Sequence, residues 1–211
     1  MTVSQANGPV NVPLGKFPAT APSSLSPSDV DAVAQGVVDR FNDALEKRDF
    51  KAVASLFFTD GYWRDHLCLS WDLHTEKGRD SIASFLNANC NRALQVDIDR
   101  SCDFRRPVAC SLDGLGHSHG IQFFTTIDLE FGRGRGVVRL AQQDGDWRIF
   151  TFFTSLLELK GHEEPLNGRR SKGVEHGGRP DRKNWQERRE ADAEFGEKEP
   201  AVLVIGMLYL T

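Results

Sequence analysis

The sequence lacks the features that mark several large classes of protein. None of its apolar runs approaches the roughly 20 residues that cross a bilayer, and its N-terminus lacks the basic and apolar regions of a signal peptide. No long run of like charge occurs, and a formal net charge of -4 with a pI near 5.9 offers no basic face to a phosphate backbone. We therefore expect a cytoplasmic protein whose partners are small molecules or proteins, with no nucleic acid and no membrane among them.

Cysteine pairs at metal-binding or redox spacing are also missing. We expect reduced and mostly buried thiols, since the chain contains no C-x-x-C motif. His117 and His119 alternate and could both face a metal ion, but no third ligand follows at a telling spacing. A solvated turn is the favoured interpretation there, and no metal site is predicted. The four cysteines are Cys68, Cys90, Cys102 and Cys110.

Composition divides the chain into four parts. Residues 1–28 are rich in Pro, Ser, Ala, Gly and Asn. Because such a segment buries too little apolar surface to offset the entropy lost on ordering, its composition predicts a flexible, disordered leader. Residues 29–160 hold most of the patterned apolar residues and predict one domain. Residues 161–199 form a charged, Gly-rich linker in which N-W-Q-E predicts one short capped helix. Residues 200–211 predict an orphan strand.

The apolar spacing changes from helical to strand-like along the domain. Apolar residues recur at helical spacing over 29–47, 49–60 and 79–90, which predicts three helices. From about residue 93 onward apolar and polar residues alternate, and Asp144-Gly145 is a hairpin signal. Helices followed by long strands predict an α+β fold, with three N-terminal helices packed on a curved antiparallel sheet.

One segment combines aromatic, acidic and imidazole side chains. Y-W-R-D-H at 62–66 and W-D-L-H at 71–74 each place a histidine close to an acid and a tryptophan. Such side chains could line a concave pocket in which a desolvated carboxylate acts as a general base. In the alternative interpretation the Trp rings pack beneath the sheet, and Asp65 caps or pairs with Arg64. The candidate pocket residues are Trp63, Asp65, His66, Trp71, Asp72 and His74.

Two glycine-containing segments match nucleotide-binding loops only in part. F-G-R-G-R-G at 131–136 is followed by strand-like residues and not by a helix, so it predicts a hairpin turn. The apolar run at 202–205 ends at Gly206, where a G-x-G-x-x-G motif would begin. Leu208 and Thr211 occupy the positions of the remaining small residues, so the sequence of a phosphate-binding turn is not present.

Three stretches together resemble a known family. They are Y-W-R-D-H-L-C-L-S-W-D-L-H-T-E-K-G-R-D-S-I at 62–82, the D-G-D-W-R-I-F strand and its exit at 144–164, and the N-W-Q-E-R-R linker that leads to V-L-V-I-G at 184–206. With these stretches the chain resembles the N-terminal NTF2-like (SnoaL-like) region of fungal and bacterial flavin-containing monooxygenase-like proteins. The resemblance covers residues 29–206 and ends at the first strand of the FAD-binding domain.

The resemblance implies an NTF2-like cone and a parent enzyme, an oxidoreductase that uses FAD and NADPH. Only Gly206 of the FAD-binding glycine motif has a counterpart here, as a remnant of the cofactor site. We therefore expect no cofactor in this chain and no catalysis by the chain alone, and we interpret it as truncated at Gly206.

Two other functions remain open at this stage. The first is a stand-alone enzyme of the SnoaL or ketosteroid-isomerase kind, with its base among the acids and histidines of the candidate pocket. The second is a dimerisation or docking module that acts through the sheet face, and a homodimer is its simplest form. Its apolar patch would come from outward-facing positions among Phe123, Phe124, Ile149, Phe152 and Phe153.

Overall fold

The chain divides into two units, Met1–Glu164 and Pro165–Thr211. A computed structural model describes residues 17, 18, 20, 25–90, 94–166, 170 and 183–194. Within these ranges no helix is both long enough and apolar enough to cross a bilayer.

The described residues of the first unit contain the three helices that the apolar spacing predicts, but strands at Phe57–His66 and Leu73–Lys77 come before the third, so the expected order of helices followed by strands is wrong. The second helix is shorter than the expected 49–60, because a strand begins at Phe57. Helix α1 covers Pro27–Glu46, α2 covers Phe50–Ser55 and α3 covers Arg79–Asn89. The first helix begins two residues earlier than expected, because Ser26 and Asp29 form a reciprocal capping box around a proline at the first helical position.

Among the described residues seven strands form one sheet. Its strand order is β2-β1-β7-β6-β5-β3, and β4 pairs with β5 beside β3. Strands β1 and β7 run parallel, whereas the other pairs are antiparallel, so the expected antiparallel sheet is a mixed one. The strands are β1 Phe57–His66, β2 Leu73–Lys77, β3 Leu94–Ile98, β4 Val108–Ser111, β5 His119–Leu129, β6 Gly132–Gln143 and β7 Asp146–Leu159.

The helices and one face of the sheet enclose the main hydrophobic core. Apolar side chains of α1, α2 and α3 pack there against inward-facing residues of β1, β3, β5, β6 and β7. This arrangement is the NTF2-like α+β fold, and it confirms the fold class expected from the sequence.

A second, smaller cluster lies on the other side of the sheet. Phe58, Tyr62, Leu112, Ala141 and Phe150 form it. Phe17 of the leader contacts it, with 5.7 Å between the ring centroids of Phe17 and Phe150. The hydroxyl of Thr20 also donates a 2.6 Å hydrogen bond to the carbonyl of His119. These described leader residues are therefore held on the sheet, while residues 1–16 lie outside the described ranges.

Glycines predict turns at two places, 131–136 and 144–145, and the structure confirms the position of the second. Asp144 and Gly145 both have positive φ, 54° and 86°, and form the turn between β6 and β7, which confirms the hairpin signal. The hairpin turn expected at 131–136 is displaced: β5 and β6 do form a hairpin, but its turn lies at residues 130–131 and Gly132–Gly136 belongs to β6. Its glycines face inward where a Cβ atom has no room: at Gly136 that atom would lie 2.5 Å from the carbonyl oxygen of Phe153.

The second unit contains the short helix expected from its capping signal. Helix α4 covers Trp185–Ala193, and Asn184 and Glu187 form its capping box. The orphan strand expected at 200–211, with Gly206, lies outside the described residues.

Candidate functional site

The interior of the cone is filled by an aromatic side chain. Trp63 on β1 is 1% exposed and its ring packs against four phenylalanines. Its indole N–H donates a 3.1 Å hydrogen bond to the hydroxyl of Thr154 on β7, so its polar atom is also satisfied. Trp63 therefore fills the space between the helices and the inner face of the sheet. The four rings belong to Phe41, Phe57, Phe85 and Phe152.

Asp65 lies two residues further along β1 and is fully buried. Its Oδ1 accepts a 2.6 Å hydrogen bond from the Thr154 hydroxyl, and its Oδ2 accepts a 3.0 Å bond from the backbone N–H of Leu69. The carboxylate therefore holds the loop after β1, as the capping interpretation requires. It does not pair with Arg64, whose guanidinium donates to His66 and Thr75.

The two candidate histidines lie on opposite faces of the sheet. His66 lies on the outer face, where its Nε2 accepts a 2.8 Å hydrogen bond from Nε of Arg64. His74 on β2 lies on the helix side, 5.0 Å from the ring of Phe85 and 3.7 Å from the carboxylate of Glu76. Successive side chains of a strand point to opposite faces, so a histidine directly after Asp65 cannot share its pocket.

The other two candidates, Trp71 and Asp72, lie in the loop between β1 and β2. Trp71 is 72% exposed, and its ring centroid lies 5.6 Å from that of Phe131. The carboxylate of Asp72 accepts a hydrogen bond from the backbone N–H of Leu73. The structure thus brings only Trp63, Asp65 and His74 of the six candidates to the inner side of the sheet.

A cavity of about 180 Å³ opens at the mouth of the cone. Cys68 and Cys90 line it together with the Trp71 and Phe131 rings. Burial, followed by the negative charge of Asp65, raises the pKa of the Cys68 thiol to about 12. Burial also raises the pKa of Cys90. Both thiols are therefore neutral near pH 7 and are poor nucleophiles.

The four cysteines carry no disulfide, and only Cys68 and Cys90 are buried. Among the described residues no three His, Cys, Asp or Glu side chains come together as metal ligands. The region of His117 and His119 is a turn, in which the Asp113 carboxylate accepts the backbone N–H groups of His117 and Ser118.

The outer face of the sheet presents a row of apolar side chains on neighbouring strands. Phe153 on β7 lies opposite Val137 on β6, which lies opposite Phe124 on β5. All three are partly exposed. Arg64 on β1 extends the row beyond Phe153. Of the five outward-facing candidates only Phe124 and Phe153 are confirmed, since the other three, Phe123, Ile149 and Phe152, belong to the buried core.

Basic side chains flank this row. Arg135 and Arg139 lie on β6 on either side of Val137, and neither pairs with a carboxylate among the described residues. Nε of Arg139 donates a 2.9 Å hydrogen bond to Oε1 of Gln122. Val137 and these arginines are not among the residues predicted from the sequence, although the R-G-R-G-V-V-R alternation of β6 contains the signal.

Comparison with known proteins gives similarity of fold only. No family model matches the chain, and no curated protein matches it. Solved structures similar to it include ActVI-ORFA from Streptomyces coelicolor, at 16% identity and a TM-score of 0.44, covering 59% of this chain and 95% of that chain. A ketosteroid isomerase-like protein from Erwinia carotovora atroseptica has 14% identity and a TM-score of 0.46, covering 61% and 96%. An NTF2-like protein of unknown function from Pseudomonas putida KT2440 has 12% identity and a TM-score of 0.43, covering 61% and 87%. These likenesses assign no activity.

Proposed function

We propose that this chain is a non-catalytic NTF2-like module that associates with a second copy through the outer face of its sheet. One observation carries the proposal: Asp65, the acid placed inside the cone, is fully buried with both oxygens hydrogen-bonded. A general base must come within hydrogen-bond reach of the proton that it removes. The Thr154 hydroxyl and the Leu69 N–H occupy the two oxygens of this carboxylate instead, so the outer face is the better candidate for function.

The outer face has the features of an association surface. Phe124, Val137 and Phe153 form a continuous partly exposed row at its centre, and burial of such a row removes apolar surface from water. A standard specific interface buries about 800 Å² on each partner, which a broad sheet face can supply. Polar side chains such as Arg64 and Arg139 surround the row, as in the rim of an interface.

The resemblance to flavin-containing monooxygenase-like proteins supports the finer form of the proposal. In that form the module precedes the FAD-binding domain of a parent oxidoreductase that uses FAD and NADPH. The chain itself then holds no flavin, because Gly206 is the only residue of the glycine motif that it contains. After gel filtration the purified chain is expected to show no flavin absorbance at about 450 nm. A flavin occupancy of about a few per cent is the limit of detection of this measurement. A stoichiometric flavin spectrum would contradict this form.

Sedimentation velocity tests the association itself. Phe153→Arg places a charge in the centre of the apolar row and is expected to shift the protein to monomer at concentrations where the wild type forms a dimer. Leu115→Arg is the matched control, because Leu115 is 79% exposed in the loop between β4 and β5 and lies outside the row. Circular dichroism must give the same fold for both variants. A dimer that tolerates Phe153→Arg would contradict the proposed surface.

A second candidate is a stand-alone SnoaL or ketosteroid-isomerase-like enzyme. The cavity of about 180 Å³ favours it, because Cys68 lines the cavity and lies within the electrostatic reach of Asp65. Asp65 then acts as the base after the loop that holds Leu69 moves. The test is proton exchange and isomerisation of a β,γ-unsaturated ketosteroid by the wild type, Asp65→Asn and His74→Ala. Turnover that disappears in Asp65→Asn would favour the enzyme, and equal rates in all three remove it.

A further inference from the structure

The outer face of the sheet carries opposite charges at two positions of one cross-strand row, Arg135 in its middle and Asp97 at its β3 end. His66 on β1 lies opposite Ser155 on β7, Ser155 lies opposite Arg135 on β6, and Arg135 lies opposite Thr126 on β5. The row ends at Asp97 on β3, which pairs with Thr126. Residues directly opposite each other in a sheet lie on the same face. Along this row the basic side chain of Arg135 on β6 therefore lies two strands from the acidic side chain of Asp97 on β3.

The two charged residues lack partners within the described part of the chain. Arg135 and Asp97 are both exposed, and neither forms an ion pair or a side-chain hydrogen bond with a described residue. Arg133 differs in this respect, since it binds Glu158 at 3.0 Å and Glu163 at 3.3 Å. Asp128, on the neighbouring row, binds Lys160 at 2.9 Å.

Two-fold symmetry turns this arrangement into a self-complementary surface. In a face-to-face dimer whose axis runs along the strands, each side of the sheet faces the opposite side of the second copy. With the axis between β5 and β6, the β6 of one copy faces the β5 of the other. Val137 then meets the apolar surface formed by Phe124 and by the exposed Phe104 ring, whose centroid lies 5.5 Å from that of Phe124. Arg135 then faces Thr126 of the second copy, and Asp97 of that copy lies one strand, about 5 Å, to the side of Thr126. The two packed sheets are about 10 Å apart, a gap that the long side chain of Arg135 can cross.

We propose that Arg135 of each copy forms an ion pair with Asp97 of the second copy, twice per dimer. This inference rests on the proposed self-association and adds its register. An axis along β6 itself would instead bring Arg135 and Arg139 against their own equivalents, and like charges in contact are unfavourable. The ion pairs therefore select one alignment of the apolar rows.

Charge reversal tests the pair. Arg135→Asp alone and Asp97→Arg alone each place like charges against each other in a homodimer, so each is expected to raise the dimer dissociation constant at least about tenfold. An equimolar mixture of the two variants restores opposite charges at both contacts, and so does the double variant. Both are expected to associate nearly as tightly as the wild type in sedimentation velocity.

The control is Arg100→Asp. Arg100 forms an ion pair with Asp31 of α1, away from the outer face, and its reversal is expected to leave association unchanged. Raised salt should also weaken the wild-type dimer, because these pairs are at least partly exposed to solvent. The outcomes separate the two proposals. A monomeric wild type overturns the self-association, whereas a dimer that tolerates both reversals, or a mixture that does not recover, overturns the ion pair alone.

Discussion

The hydroxyl of Thr154 donates a 2.6 Å hydrogen bond to Oδ1 of Asp65 inside the cone. The same hydroxyl accepts a 3.1 Å hydrogen bond from the indole N–H of Trp63. One threonine thus forms hydrogen bonds with both polar side chains that β1 sends into the core. This relationship makes Asp65 a structural group, which ties β1 to β7, and it directs the search for function to the outer face of the sheet.

Removal of that hydroxyl is expected to be costly. Thr154→Val keeps the shape of the side chain but leaves the Trp63 N–H and one carboxylate oxygen of Asp65 without a partner, which should lower the free energy of unfolding by about 2–4 kcal/mol. Urea denaturation measures this. Thr151→Val, on the outer face of the same strand, is the control and should change the free energy by less than about 0.5 kcal/mol. Equal effects of the two substitutions would contradict a buried network.

Thiol labelling should separate the cysteines by burial. Cys102 is exposed, whereas burial and the charge of Asp65 raise the pKa of Cys68 to about 12. At pH 8 a thiol-specific disulfide reagent is expected to label Cys102 first and Cys68 only on unfolding, since the thiolate is the reactive form. Cys102→Ser should remove the fast phase. Fast labelling of Cys68 in the folded protein would contradict its buried, neutral state.

The decrease in stability at acidic pH should depend on Asp99. Burial alone would raise the pKa of this carboxyl group, but hydrogen bonds from Ser101 and the 2.7 Å ion pair with Arg105 outweigh it and lower the pKa. A lowered pKa contributes stability above the unfolded value of about 3.9, and that contribution is lost as the pH falls through the folded value. The unfolding temperature of Asp99→Asn should therefore decrease less than that of the wild type as the pH falls below about 4. Asp60→Asn, at an exposed position, should behave like the wild type. The same decrease of the unfolding temperature in the wild type and in both variants would contradict this assignment.

Two glycines should respond in opposite ways to alanine. A Cβ atom at Gly136 would lie 2.5 Å from the Phe153 carbonyl oxygen and 2.5 Å from the Thr125 hydroxyl, so Gly136→Ala should destabilise the fold by about 1–3 kcal/mol. Gly36, inside α1, has no atom within 4 Å of that position, so Gly36→Ala should stabilise it by up to about 1 kcal/mol. Thermal unfolding of the two variants compares them. A neutral Gly136→Ala would show that β6 and β7 can separate at this point.

The helices and the later strands could be predicted because each buries one face. Their apolar residues then recur at the period of the element, as in α1 and in β5. Strand β1 could not be predicted in this way. Tyr62 packs in the outer cluster and the next residue, Trp63, packs in the core, so both faces are buried and the alternation disappears. Its parallel pairing with β7 joins residues about 90 positions apart, which no local pattern contains.

The candidate site was predictable only in part for a related reason. The aromatic and acidic pattern predicts that Trp63 and Asp65 face the same side, and both lie between the helices and the sheet. The same pattern groups His66 with them, although successive side chains of a strand point to opposite faces. Recognition of β1 as a strand would have separated these residues. The hydrogen bond from Thr154 could not be anticipated, since its donor lies on the last strand of the sheet.

Hydroxyl-radical footprinting at rising protein concentration tests most directly whether the outer face or the cone mouth is the functional surface. The method reports the solvent exposure of individual aromatic side chains, and Phe153 and Trp71 mark the two surfaces. We expect oxidation of Phe153 to fall as the dimer forms, while oxidation of Trp71 stays constant. Constant oxidation of Phe153 at every concentration, or protection of Trp71 alone, would contradict association through the outer face.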